Sequence, residues 1–417
     1  LRRFLFSSKS PKENQWKVEI IMLSLDKVFN AQTVLKNIIR ETNVVRAYGI
    51  APDCELYLKP ENLQITGSFK VRGSAYKIAM LSEEEKKKGV IACSAGNHAQ
   101  GVALAATKNN IKSLICLPDS APISKVEATK GFGAEVCLVE GCYDDAHQKA
   151  LELCNSEGYA FVHPFDDENV IAGQGTIALE ILNELDDIDA IVVPIGGGGL
   201  ISGIAYTVKQ IRPSIKVYGV QVAGAPSMYN SVKEGEIECL SSVSTIADGI
   251  AVKKPGENTY ALVKEYVDEI ALVTDDEVAS AILALIEKQK MIAEGAGATA
   301  VAAVMAGKFD LKGKRVVAIV SGGNIDVTSL SRVIDRGLLN SGRSTSMLIE
   351  LIDKPGQLKE ISRIIADCGG NVTGVHYEKG NTESVNGCFL RIQMETRDYE
   401  HVNQITQKLS DEGFKLV

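Results

Sequence analysis

From about residue 89 onward the chain alternates short apolar runs with longer stretches in which apolar side chains recur every three or four positions. Val90-Ile91-Ala92-Cys93, Leu114-Ile115-Cys116-Leu117, Ala190-Ile191-Val192-Val193 and Val316-Val317-Ala318-Ile319-Val320 are unbroken by polar residues. Such runs are the signature of strands covered on both faces of a parallel sheet. Each leads into a loop of small or polar residues and then a helical period, clearest in the alanine-rich stretch from His98 to Lys108. The repetition predicts α/β architecture. In open parallel sheets, ligands bind where strand C-terminal ends meet helix N-termini.

The pattern changes after Arg336. Residues 337–346, rich in glycine and serine, read as a linker. A compact βαββαβ unit is predicted beyond it. Residues 347–352 form a strand, Asp353-Lys354-Pro355-Gly356 a turn, and Leu358, Ile361, Ile364 and Ile365 fall on one helix face stopped by Gly369-Gly370. A strand over 371–378 follows, then alternating Cys388, Leu390, Ile392 and Met394, a second helix through Val402, Ile405 and Leu409, and a closing strand at 414–417. That order is ferredoxin-like. The expected organisation is an extension over 1–22, a main α/β unit over 23–336 with a smaller subdomain at about 65–165, the linker, and a C-terminal unit over 347–417.

A chain of 417 residues favours two or three domains. Net charge of -8 without a basic block argues against nucleic acid and for small-molecule partners. No apolar run approaches the ~20 residues of a membrane helix, so no membrane association is expected. Nine cysteines, without a C-x-x-C pair or zinc-ligand spacing, read as reduced thiols of a cytoplasmic protein with no metal site. The basic, serine-bearing start reads as an extension or tail ahead of Met22, with a transit-peptide remnant as the alternative.

Four segments carry candidate chemistry. Lys70, in Gly67-Ser68-Phe69-Lys70, is an amine that burial would deprotonate and that can attack an aldehyde. Phe69 beside it is placed to pack on a cofactor ring or in the core. Gly196, Gly197, Gly198 and Gly199, with Leu200, present main-chain N–H groups to an anion at a helix start, although they match neither the dinucleotide fingerprint nor the Walker loop. Ser94-Ala95-Gly96-Asn97-His98 puts hydroxyl, amide and imidazole at a helix N-terminus, either for a substrate carboxylate and a phenolate oxygen or simply as a cap. Ser321, in Ser321-Gly322-Gly323-Asn324, can hydrogen-bond a pyridine nitrogen or serve a turn. Together they read as a site for pyridoxal phosphate.

With their flanks, Gly67-Ser68-Phe69-Lys70-Val71-Arg72-Gly73, Ser94-Ala95-Gly96-Asn97-His98-Ala99-Gln100-Gly101, the four glycines with Leu200, and Ser321-Gly322-Gly323-Asn324 resemble the motifs of the threonine dehydratase (threonine ammonia-lyase) group of fold-type II pyridoxal-phosphate enzymes, over roughly residues 25–335. The resemblance implies two parallel-sheet subdomains and pyridoxal 5'-phosphate. It implies Lys70 as the Schiff-base lysine, Asn97 near the ring oxygen, Gly196 to Leu200 on the phosphate, and Ser321 at the pyridine nitrogen. Ser94, Gly96, Asn97 and His98 would surround the substrate carboxylate. A neutral serine at the ring nitrogen suits elimination over transamination. The C-terminal unit resembles an ACT domain, which implies an amino-acid effector near Pro355, Gly356 and Asn371 and a homo-oligomer, dimer or tetramer.

The implied reaction converts L-threonine to 2-oxobutanoate and ammonia, with L-serine as a further substrate. Serine racemases and hydroxyaspartate dehydratases share these motifs. In the racemases resembling this chain, a serine supplies the second proton; here that residue is Ala95, and Gln221 and Ser227 stand where metal-binding carboxylates would be expected. A third reading is a catalytically inactive amino-acid sensor, against which stand four intact cofactor motifs.

Overall fold

The structure is a computed structural model that describes residues 23–378 and 387–417, so the extension expected over 1–22 lies outside the described residues. After an opening helix, Leu25–Leu35, the chain lays down β1 (Val45–Arg46) and β2 (Glu55–Pro60). It then builds a four-stranded sheet from β3 (Val90–Cys93), β4 (Ser113–Pro118), β5 (Glu135–Val139) and β6 (Ala160–Phe161). The first sheet is completed by β7 (Ala190–Pro194), β8 (Lys216–Val222), β9 (Glu269–Val273) and β10 (Arg315–Val320).

The larger sheet runs β1-β2-β10-β7-β8-β9 and the smaller β5-β4-β3-β6. All pairs are parallel except β1 with β2. The unbroken apolar runs of the sequence are the interior strands β3, β4, β7 and β10, and every residue of β3 and β7 is buried. Helix Glu168–Glu184, capped by the Asp167 carboxylate, packs between the helices of both sheets.

Beneath the junction lies a buried ion network that periodicity does not reveal. Arg72 donates to both oxygens of Glu61 at 2.8 Å and to Glu180 at 2.5 and 2.8 Å. Lys59 pairs with Glu180 at 2.6 Å, and Lys59, Glu61 and Arg72 are wholly inaccessible. Removing one partner from such a network strands a buried charge and costs about 3–5 kcal/mol. The network ties β2 and helix Glu168–Glu184 to helix Lys70–Ala79, which begins at the candidate lysine.

Helix Val327–Asn340 leaves the larger sheet for the C-terminal unit. There β11 (Ser344–Ile352), β12 (Asn371–Glu378), β13 (Gly387–Glu395) and β14 (Lys415–Leu416) form an antiparallel sheet ordered β12-β13-β11-β14. Helices Gln357–Asp367 and Tyr399–Asp411 cover one face, burying Ile361, Ile364, Ile365, Ile405 and Leu409 against the alternating residues of β13.

Two sequence expectations need correction. Residues 337–340 are the end of a helix and 344–346 the start of β11, which leaves only 341–343 between them. Gly337 serves close helix packing rather than flexibility, since a Cβ there would sit 3.2 Å from Ala279 O and from the Leu283 side chain. Leu358, in the first helical turn, remains 47 % exposed instead of joining the buried face.

Candidate active site

The four motif segments converge where the two parallel sheets meet. Main-chain hydrogen bonds stitch the lysine segment to the loop after β10: Phe69 N–H donates to Ser321 O at 3.1 Å and Gly323 N–H to Gly67 O at 2.9 Å. Gly67, at φ +70°, lies against the Asn324 side chain, where a Cβ would not fit. The Ser68 hydroxyl is buried without a hydrogen-bond partner.

Lys70 follows as the first residue of its helix, and its Nζ donates to Pro164 O at 2.7 Å and lies 5.3 Å from the Phe69 ring centroid. Burial lowers its pKa to about 8, against the opposing pull of Glu294. A useful fraction of the amine is therefore neutral near physiological pH, as a nucleophile or base requires.

Helix Asn97–Lys108 starts directly after the β3 loop and leaves its first N–H groups without helical acceptors. It can crowd the lysine helix because Gly101 faces it; a Cβ there would lie 3.1 Å from the Lys70 main chain and the Ser74 hydroxyl. Ser94 Oγ accepts Gly96 N–H at 3.1 Å, and nothing lies within 4 Å of where a Gly96 Cβ would point. Asn97 donates from Nδ2 to Glu294 Oε1 at 2.6 Å and accepts from Asn324 Nδ2 at 2.7 Å.

His98 turns its imidazole away from this opening. The ring is buried between Ser74 Oγ at 3.4 Å and Val162 O at 2.8 Å, and burial followed by the charge of Lys70 lowers its pKa to about 3. What His98 offers a carboxylate is its main-chain N–H, not its side chain.

After β7 the glycine run enters helix Gly199–Ile211, with Gly198 at φ +98°. A Cβ on Gly197 would meet the Phe165 ring at 2.5 Å, and one on Gly198 the Met228 and Thr259 side chains at 2.7 and 2.8 Å. Thr259 Oγ1 donates to Gly197 O at 2.6 Å and steadies the loop. At the β10 end the Ser321 hydroxyl donates to Ala296 O at 3.3 Å.

Two groups at the site escaped the sequence reading. Glu294 immediately precedes helix Gly295–Met305, is almost wholly buried, and has its pKa raised to about 7 by burial and by Asp248. The loop after β6, residues 162–167, supplies the Pro164 carbonyl and the Phe165 ring. His163 Nδ1 accepts the Phe165 and Asp166 N–H groups at 3.2 and 2.7 Å, while Asp166 accepts from Glu257 and Thr259 N–H at 3.1 and 3.0 Å. Its position at the C-terminal end of a parallel strand was the signal that could have found it.

These parts suit a pyridoxal phosphate: a partly neutral amine, an unpartnered buried hydroxyl beside it, a side-chain-free loop at a helix N-terminus for the phosphate, and an uncharged hydroxyl at the end of the neighbouring parallel strand β10.

The chain is 47 % identical to the L-threonine ammonia-lyase of Thermotoga maritima over 95 % of its own length and 99 % of that protein. The processed form of threonine deaminase isoform 2 from Solanum lycopersicum superposes with a TM-score of 0.72 at 39 % identity, over 76 % of this chain and 90 % of that one. Maize serine racemase superposes with 0.71 at 34 % identity, over 76 % and 98 %. The family model described as "Pyridoxal-phosphate dependent enzyme" matches residues 35–322, and it is to this family that the chain belongs.

Proposed function

We propose that the protein dehydrates and deaminates L-threonine to 2-oxobutanoate and ammonia, and treats L-serine likewise to give pyruvate. The observation that carries the reading is Lys70: a half-buried amine with its pKa lowered to about 8, beside the segments that hold Ser321 and Asn97. The near full-length similarity to an L-threonine ammonia-lyase supports the substrate class.

The N–H groups opening helix Asn97–Lys108, with Ser94 and Gly96, hold the substrate carboxylate. Lys70 Nζ removes the Cα proton. Asn97, fixed by Asn324 and Glu294, would orient the ring oxygen of the cofactor; the glycine run and Leu200 would hold its phosphate, with Phe69 beside the ring and Ser321 toward its nitrogen. The bound cofactor supplies the electron sink that makes the Cα proton removable. The β-hydroxyl departs as water, and hydrolysis of the released enamine yields the keto acid and ammonia.

A racemase reading draws on the likeness to maize serine racemase, but the methyl group of Ala95 offers no proton to a second face. Purified protein given L-threonine is expected to release 2-oxobutanoate and ammonia in equal amounts. Formation of D-serine from L-serine without keto acid would favour the racemase instead.

The C-terminal unit is read as an ACT-like module that takes an amino-acid effector near Pro355, Gly356 and Asn371. Gly356, at φ +97°, begins its first helix, and Asn371 opens β12 and donates to Glu395 at 2.8 Å. Exposed Val375 and Tyr377 on β12, an outer strand, support association of copies into a homo-oligomer. The nine free thiols suit the cytoplasm.

A further inference from the structure

We propose that the Lys125–Asp248 ion pair is a positioning contact for the reaction, one that holds the smaller sheet unit closed against the larger across the mouth of the site. Lys125 lies on helix Ile123–Gly131, between β4 and β5, whereas Asp248 opens the turn Asp248–Ile250 ahead of β9. Nζ and Oδ2 are 2.7 Å apart.

Each partner is mechanically connected to the site. The lysine's helix packs on helix Asn97–Lys108, whose first residue is Asn97. On the other side, a Cβ on Gly249, next to Asp248, would lie 3.5 Å from Glu294 Oε1 and 3.1 Å from Ala296 Cβ. The units thus touch at an inner point, Asn97 with Glu294 and Asn324, and at an outer point, Lys125 with Asp248. Both outer charges act on the Glu294 carboxyl, Asp248 raising and Lys125 lowering its pKa. Losing the outer contact removes one of the restraints on helix Asn97–Lys108, so the carboxylate-binding helix start samples positions farther from Lys70.

The pair is partly exposed, with side-chain accessibilities of 27 % and 62 %, so its effect is modest and depends on salt. Because the contact steadies the helix start that holds the substrate carboxylate and does not touch Lys70 Nζ, the effect falls on KM before kcat.

The test compares Lys125→Asp, Asp248→Lys and the double exchange, with L-threonine as substrate. Each single change is expected to raise KM about three- to fivefold with kcat within about twofold, and the double exchange to restore KM. In the substrate-free enzyme, amides of residues 97–100 and 123–131 should exchange with deuterium faster in the single variants and return to wild-type rates in the double. Unchanged KM and exchange in the single variants, or failure of the double exchange to restore either, would overturn the proposal. The proposal rests on the cleft being the amino-acid site; the exchange measurement does not, so the two readings can fail separately.

Discussion

Lys70 and Glu294 form an electrostatic couple in which burial pushes both groups toward neutrality, the amine to about 8 and the carboxyl to about 7. For Glu294 the folded value lies above its ordinary 4.5, so between those two pH values the folded protein retains a proton that the unfolded chain has lost. Stability contributed by this group therefore falls as pH rises from 4.5 to 7 and stays low above. Cofactor-free Glu294→Gln is expected to be about 1–3 kcal/mol more stable than wild type at pH 8 and equal to it near pH 4, by denaturant melts. A difference that did not change with pH would contradict this account. That Lys70, Asn97 and Ser321 are candidates was legible in the sequence because each sits in a short string whose chemistry is local, and the fold brings those strings together. Glu294 was not, because its meaning comes from Asn97, 197 residues away. His98 shows the opposite failure: its residue type suggested a ligand, but only the fold reveals that Ser74 and Val162 occupy its ring.

Among the elements, the interior strands were the easiest to read, since strands covered on both faces must be apolar throughout. The helix ending at Asn340 was obscured by Gly337 and Ser341, which look like linker residues although Gly337 is a packing position. The glycine run stands out in the sequence as a loop free of side chains, while the Phe165 ring that fills the space beside it comes from a loop after a two-residue strand with little periodic signal. Gly197→Ala tests that contact. Its methyl group would meet three ring atoms at 2.5 Å, so the variant should lose about 1–3 kcal/mol of stability and release its cofactor more readily, measured by melting and visible absorbance. Wild-type melting and cofactor retention would show that the loop has room the geometry denies.

At the scale of the whole molecule, helix Val327–Asn340 connects the loop holding Ser321 and Asn324 to the C-terminal sheet, where Tyr399 Oη donates to Leu339 O at 3.3 Å and Arg343 pairs with Glu287 at 2.6 Å. An amino-acid effector bound to the C-terminal unit would act on the site along this helix, and a bound substrate would act on the effector by the same factor, since coupling between sites is reciprocal. A chain ending at Arg343 is expected to keep turning over threonine and to lose any change in kinetics on adding amino-acid effectors; an unchanged response would place the effector elsewhere. The central claim is that Lys70 is the reacting amine of a threonine-deaminating, pyridoxal-phosphate enzyme. Its most direct test is keto-acid release from L-threonine, recorded with the visible spectrum, for wild type and Lys70→Ala. The account predicts a yellow wild-type protein that forms 2-oxobutanoate, and a variant at least about 10³-fold slower that has lost the wild-type absorption band. Full turnover and an unaltered spectrum in the variant would contradict it.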